Sequence, residues 1–201
     1  MMAIMPNKTR HSRMSAKEAT RERIVAVAAR AIRRQGYDGV GVADVMKQAG
    51  LTHGAFYAHF ASREAMLAEA ARQACAESAT AVASVVAQAQ QGEALTALLQ
   101  AYLSKEHLEH AEVGCPLAAL ASETPRQAAE VRRATTQHLK EMVDLAARQS
   151  PDWGQAAAHE RALATIATLV GTVVLARAVD DPTLVDSLRE AALKHLRPPA
   201  S

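Results

Sequence analysis

From Ile24 to Leu196 the apolar residues recur at intervals of three and four, and no stretch alternates at period two for long enough to mark a sheet. The spacing predicts a chain made of helices. Ile24, Ala28, Ala31 and Ile32 define an amphipathic helix from Lys17 to Gln35 that ends at Gly36. Tyr37 then packs into a small core, and Asp38-Gly39 is a turn signal. Val42, Val45, Met46 and Ala49 stand at i, i+3, i+4 and i+7, which gives a second, short helix one apolar face. Gly50 supplies the left-handed residue that closes it, and Thr52 offers a side-chain oxygen to cap the next helix.

The helix after Thr52 has a peculiar outer side. Phe56 and Phe60, four apart, turn inward with Leu51, which leaves His53, Gly54, Ala55, Tyr57 and Ala58 outside. A solvated helix face ordinarily carries Lys and Glu, whereas this one carries small residues, a histidine and a tyrosine. Small residues let a backbone come close to another surface, as a helix in the DNA major groove must to reach base edges. Ser62 caps a third helix whose first turn holds Arg63, a cation placed for a phosphate.

Beyond Arg63 the pattern predicts a long helix to about Gln91, carrying Met66, Leu67, Cys75, Val82, Val85 and Val86, and able to act as a lever. Gly92 ends it, and Leu95, Leu98, Leu99, Tyr102 and Leu103 mark the next helix, to about His110. Glu112 to Pro116 is a break, followed by a short helix to Glu123 and a longer one from Pro125 to about Arg148. After a loop at 150–154 come two final helices, Gln155 to Val179 and Pro182 to Leu196, the latter capped by Asp181. The first is apolar nearly all round between Leu163 and Leu175, more than one subunit's core would cover. Its run from Ala162 to Ala176 falls short of the roughly 20 residues that span a bilayer and is interrupted by Thr165, Thr168, Gly171 and Thr172, so a buried helix is expected rather than a membrane partner.

Composition narrows the core chemistry. Of 201 residues 49% are hydrophobic but only 3% aromatic, so the interior must be built from Ala, Leu and Val, and Ala and Leu favour helix. The net charge of +2 is unremarkable, but its distribution is not: residues 1–64 hold 11 basic and 5 acidic side chains, and residues 65–201 hold 12 and 16. A basic front suits contact with a polyanion, and an acidic back stays off it. Residues 1–16 form an aperiodic basic arm whose Lys8, Arg10 and Arg13 suit either a solvated tail or a minor groove. Cys75 and Cys115 are too few for a disulfide framework, and no signal-peptide core is visible, which points to the cytoplasm.

The string Gly50-Leu51-Thr52-His53-Gly54-Ala55-Phe56-Tyr57-Ala58-His59-Phe60, followed by Ser62-Arg63-Glu64, resembles the signature of the TetR/AcrR family of one-component transcriptional regulators. The motif runs from Ile24 to Leu67; the remainder resembles the family only in length and helical character. The resemblance implies an all-α protein that is not an enzyme: a three-helix helix-turn-helix domain over 17–64, then a larger helical effector-binding and dimerisation domain over 65–201. It implies a homodimer, most simply a repressor, on a palindromic double-stranded DNA operator, released by a small-molecule effector, with no cofactor. Thr52, Tyr57, His59 and Arg63 would then meet phosphates, while His53, Gly54, Ala55 and Ala58 would meet base edges. Thr168, Gly171 and Val174 with Leu184, Leu188 and Ala191 would form a four-helix dimer interface. Gly41 departs from the pattern, standing where the family usually has Ser or Thr as the cap of the second helix.

An effector pocket is likewise implied only by the resemblance. Tyr102, Cys115, His138, Met142 and Thr165 are candidate liners, although such residues are more often simply core. Cys115, beside Gly114 and Pro116, reads either as buried filler or as a thiol that senses oxidants or electrophiles. Glu106, His107, Glu109, His110 and Glu112 crowd potential metal ligands into one run, the basis of an alternative reading as a helical metal-binding protein or enzyme. No second, separated ligand pair completes a tetrahedral shell, so a solvated helix end is favoured and no metal site is assigned.

Overall fold

The computed structural model describes residues 16–150 and 152–197. Among them it is all-α, with nine α-helices: α1 (Ala16–Gln35), α2 (Val42–Gln48), α3 (Arg63–Gln88), α4 (Ala94–Tyr102), α5 (Lys105–Glu109), α6 (Pro116–Leu120), α7 (Ala129–Ala147), α8 (Ala156–Ala178) and α9 (Pro182–Leu196). Short 3-10 helices cover His53–Ala58, Ala111–Val113 and Thr124–Arg126. The basic arm with Lys8, Arg10 and Arg13 lies outside the described residues.

Two apolar clusters organise the chain. In the first, Ile24, Ile32, Tyr37, Met46, Phe56, Phe60 and Met66 pack together, each almost wholly removed from water. Full burial of such a side chain contributes about 1.5–3 kcal/mol, so this small core suffices to fix α1, α2 and the first turns of α3. It is not closed by the first third of the chain alone, since Leu120 of α6 and Val131 of α7 complete it. The second cluster joins Leu98, Leu99 and Leu103 to Met142, Val143, Ile166, Leu169 and Val173. α3 runs through both, its front half in the first core and Val82 and Val86 against the second.

Outside the segment 52–60, the periodic pattern and the structure part company in three places. The helix expected from Leu95 to His110 breaks after Tyr102. There the Leu103 carbonyl accepts from Arg189 Nε of α9 at 2.7 Å, and Ser104 Oγ accepts from the His107 N–H to begin α5. Side chains thus take over backbone groups that a continuous helix would have paired internally. The helix expected from Pro125 starts instead at Ala129, because Gln127 and Ala128 are extended after the 3-10 turn that Pro125 heads. Finally, α8 is 23 residues long, and Leu163, Val174 and Leu175 remain 43–53% exposed, so it is not the buried helix its composition suggests. By length and composition α8 could also span a bilayer, yet one flank packs against α7, α9 and α6.

His138 of α7 is 1% exposed and neither ring nitrogen has a hydrogen-bond partner. Burial holds its pKa, and that of His107, below the ordinary imidazole value of 6.5. The folded state therefore keeps both rings neutral where the unfolded chain takes up protons, and the stability this gives is lost as pH falls below about 6.5. Thermal melts at stepped pH should show a falling Tm between pH 7.5 and 5.5. His138→Leu should flatten that fall without lowering Tm at pH 7.5, because it removes two unpaired polar atoms. An unchanged acid slope would take His138 out of this account.

Candidate nucleic-acid interface and effector cavity

α2 ends in a tight turn whose geometry follows from one glycine. Gly50 adopts φ +71°, its N–H bonds the Lys47 carbonyl at 3.0 Å, and the Leu51 N–H bonds the Met46 carbonyl at 2.9 Å. This is the Schellman closure, which turns the chain sharply and folds Leu51 back on the core. The following segment, His53–Ala58, is a 3-10 helix rather than an α-helix. Thr52 stands at its head without the side-chain capping bond expected from its sequence position, and Gly41 at the head of α2 has none either.

The inward and outward faces separate as the sequence predicts. Phe56 and Phe60 stack at 5.5 Å in the core, and Tyr57, 71% exposed, rests edge-on against Phe56 at 5.3 Å. His53 lies edge-on to Tyr57 at 6.4 Å. Thr52, His53, Gly54, Tyr57 and Ala58 are exposed, while Ala55 and His59 are half-buried. A Cβ built on Gly54 would meet nothing within 4 Å, and its φ is not in the left-handed region. The fold itself does not need glycine there.

Two arginines fix this face. Arg21 of α1 donates to the His59 carbonyl and to Glu69 of α3, with its guanidinium 4.3 Å from the Phe60 ring centre. Arg63 donates through Nε to the Val40 carbonyl at 3.0 Å and through a terminal nitrogen to the Tyr37 carbonyl. The cation expected to face a phosphate is thus turned inward, onto the turn that leads into α2. Sequence periodicity missed Arg21 because its partners lie 38 and 48 positions away.

That same turn is gripped from the other side. The Tyr37 N–H donates to Glu123 at 2.8 Å, and a Cβ on Gly36 (φ +75°) would collide with that carboxylate. Arg33 of α1, 3% exposed, pairs with Glu77 of α3 at 2.6 Å and reaches the Gly114 carbonyl at 3.5 Å. The DNA-reading candidate is therefore tied to the segment around α6 at two points.

Behind that segment lies a cavity of about 370 Å³ between α3, α4 and α5. Of the candidate liners, Tyr102 and Cys115 face it. His138 and Met142 do not: each borders a different, outer groove on α7, although the Met142 sulfur touches Cys115 Sγ at 4.0 Å. Thr165, half-buried on α8, lines none of these spaces. The reason is rotational for the two on α7, whose grooves are shared with α3 rather than with α4. His107, passed over as a liner, belongs to the cavity wall. One ring nitrogen contacts the Tyr102 carbonyl and the other accepts from the Cys115 N–H at 2.9 Å. With both nitrogens engaged, His107 is no metal ligand. His110 meets only the carboxylate of Glu112, at 3.5 Å.

A helix-turn-helix with a small-residue outer face, carried on a helical body with an open, largely apolar cavity, defines a DNA-binding regulator. Residues 24–70 match the family of bacterial regulatory proteins described as the tetR family, and residues 92–191 match the LmrA/YxaF-like C-terminal domain of transcriptional regulators. An uncharacterized HTH-type transcriptional regulator of Mycobacterium tuberculosis is 31% identical over 183 residues, covering 84% of this chain and 90% of that one. Among solved structures, a TetR-family regulator of Cytophaga hutchinsonii has a TM-score of 0.78 at 18% identity, covering 92% of this chain and 96% of that one. A TetR regulator of Chloroflexus aurantiacus has a TM-score of 0.75 at 26% identity, covering 91% and 94%. The chain belongs to the TetR family of transcriptional regulators, and it is not an enzyme.

Arg63→Ala should cost about 1–3 kcal/mol of stability, since it leaves two backbone carbonyls without their donor. Gly54→Leu should leave Tm essentially unchanged, there being open space for the side chain. Denaturant unfolding of the two variants separates these outcomes. A fully stable Arg63→Ala protein would refute the inward role.

Proposed function

We propose that the protein is a homodimeric repressor that binds a palindromic operator and is released from it by a small-molecule effector held in the cavity beside Tyr102. The observation that carries the DNA reading is Gly54: it is exposed, unrestrained by its own fold, and set between His53 and Ala55 on a rigidly braced turn. A glycine there serves close approach to an outside surface. His53, Gly54, Ala55 and Ala58 would face base edges, with alanine methyls meeting thymine methyls, while Thr52, Tyr57 and His59 would face phosphates. Arg63 joins them as a positioning residue.

The exposed apolar residues of the last two helices support pairing between copies. Leu163, Val174 and Leu175 of α8 and Leu184 of α9 stand open, with Thr168, Gly171, Leu188 and Ala191 along the same face. A four-helix interface there would set the two reading turns about 34–36 Å apart, one repeat of the duplex. The protein would act in the cytoplasm, where its DNA is. Release follows from the two ties to α6. An effector pressing on Gly114 and Cys115 acts on Arg33 and, through α6, on Glu123 and the Tyr37 turn. It thereby favours a state with the wrong spacing.

Gel shifts on the DNA flanking its own gene test the reading. Wild type should bind one palindrome with a steep salt dependence, and Gly54→Leu should lose about a hundredfold or more by collision with the groove. Tyr57→Phe should weaken binding to all sequences by roughly three- to tenfold with an unchanged salt slope, since the lost contact is neutral. Unimpaired binding by folded Gly54→Leu would end the proposal.

A further inference from the structure

The cavity beside Tyr102 is chemically selective. Its walls are apolar where Ala81, Val82 and Val85 of α3 face Leu98 and Ala101 of α4. No lysine or arginine lines it, and its one carboxylate, Glu106, sits at the exposed rim. At the inner end nearly every donor is already engaged. The Cys115 N–H is bound to His107, the Gly114 N–H to the Ala111 carbonyl, and the His107 N–H to Ser104. Two buried donors are the exceptions, the Tyr102 hydroxyl in the wall and Arg177 Nη1 beside Gly114. Tyr102 is 6% exposed, and its hydroxyl lies beside the Cys115 thiol, a weak partner, and reaches no nitrogen or oxygen acceptor.

A buried phenol without an acceptor is costly, and a molecule that brings one recovers that cost on binding. Burial pushes the Tyr102 pKa up, so the group stays protonated and can only gain by donating. A carboxylate ligand would lose its hydration and find no cation in the wall itself, the nearby Arg177 guanidinium lying beside Gly114 and already donating to the His107 and Leu108 carbonyls; an ammonium ligand would find only a solvated carboxylate at the mouth. We infer that the cavity takes a compact, uncharged molecule with an apolar body and one hydrogen-bond acceptor of the carbonyl type, received by the Tyr102 hydroxyl after a small rotation of the ring. This specifies the effector of the regulator proposed above and rests on that reading.

Three probes of matched size test it: acetophenone, ethylbenzene and benzoate, titrated into the full-length protein by calorimetry or ligand-observed NMR. Acetophenone should bind about five- to tenfold more tightly than ethylbenzene, the yield of one neutral hydrogen bond, and benzoate should bind weakest. Tyr102→Phe should bring the ratio of the first two to about one, and Val85→Trp, which plugs the mouth, should abolish binding of all three. Benzoate binding best, a ketone preference that survives Tyr102→Phe, or no probe binding at millimolar concentration would overturn the inference. The ranking on wild-type protein stands whether or not either variant folds. Acetophenone bound with the expected preference but without effect on operator affinity would support the ligand class and remove the effector reading instead.

Discussion

The backbone of Tyr37 is held on both of its flanking peptides, with the Glu123 carboxylate on its N–H and the Arg63 guanidinium on its carbonyl. Charge-assisted bonds of this kind are short, directional and about twice as strong as neutral ones. They determine where α2 begins, because Arg63 also holds the Val40 carbonyl two residues before α2. Where α2 begins decides where the His53–Ala58 turn points. A three-helix unit with so small a core has few other means of fixing its angles, and these two side chains arrive from α3 and from the segment after α6.

The consequence is that the DNA-reading unit does not stand by itself. Its core is finished by Leu120 and Val131, its first turn is latched by Glu123, and Arg33 carries a fully buried guanidinium to Glu77 and toward the Gly114 carbonyl. Removing Glu77 would leave the buried Arg33 guanidinium without its carboxylate, so this tie is costly to break. Gly114 and Cys115 are at once the cavity wall and the end of that latch. The cavity and the reading unit thus share a backbone segment.

Glycine has two different roles along this path. At Gly36 a side chain is forbidden twice, by the positive φ and by the Glu123 carboxylate. At Gly54 neither constraint applies. The fold requires the first glycine and does not require the second, a distinction that only coordinates make visible.

Much of the architecture was legible without them. Apolar residues at three- and four-residue spacing, Gly36 and Gly50 as stops and Asp181-Pro182 as a start placed most of the helices, because these signals are local and act through the backbone within one turn. The inward turn of Phe56 and Phe60 and the open face around Gly54 followed for the same reason. Long-range pairings were not legible. Arg63 looked like a cation for a phosphate and proved to hold two carbonyls. Arg189 and Ser104 split a helix that the apolar pattern joined. His138 and Met142 were turned away from the cavity by the rotation of α7, and Thr165 does not line it. For Arg63 and Arg189 the decisive partner lies far along the chain, and periodicity carries no information about which distant carbonyl a guanidinium will find. Sequence alone determined which faces are apolar and where helices stop; tertiary packing decided which polar groups meet, since that depends on how the finished rods lie against one another.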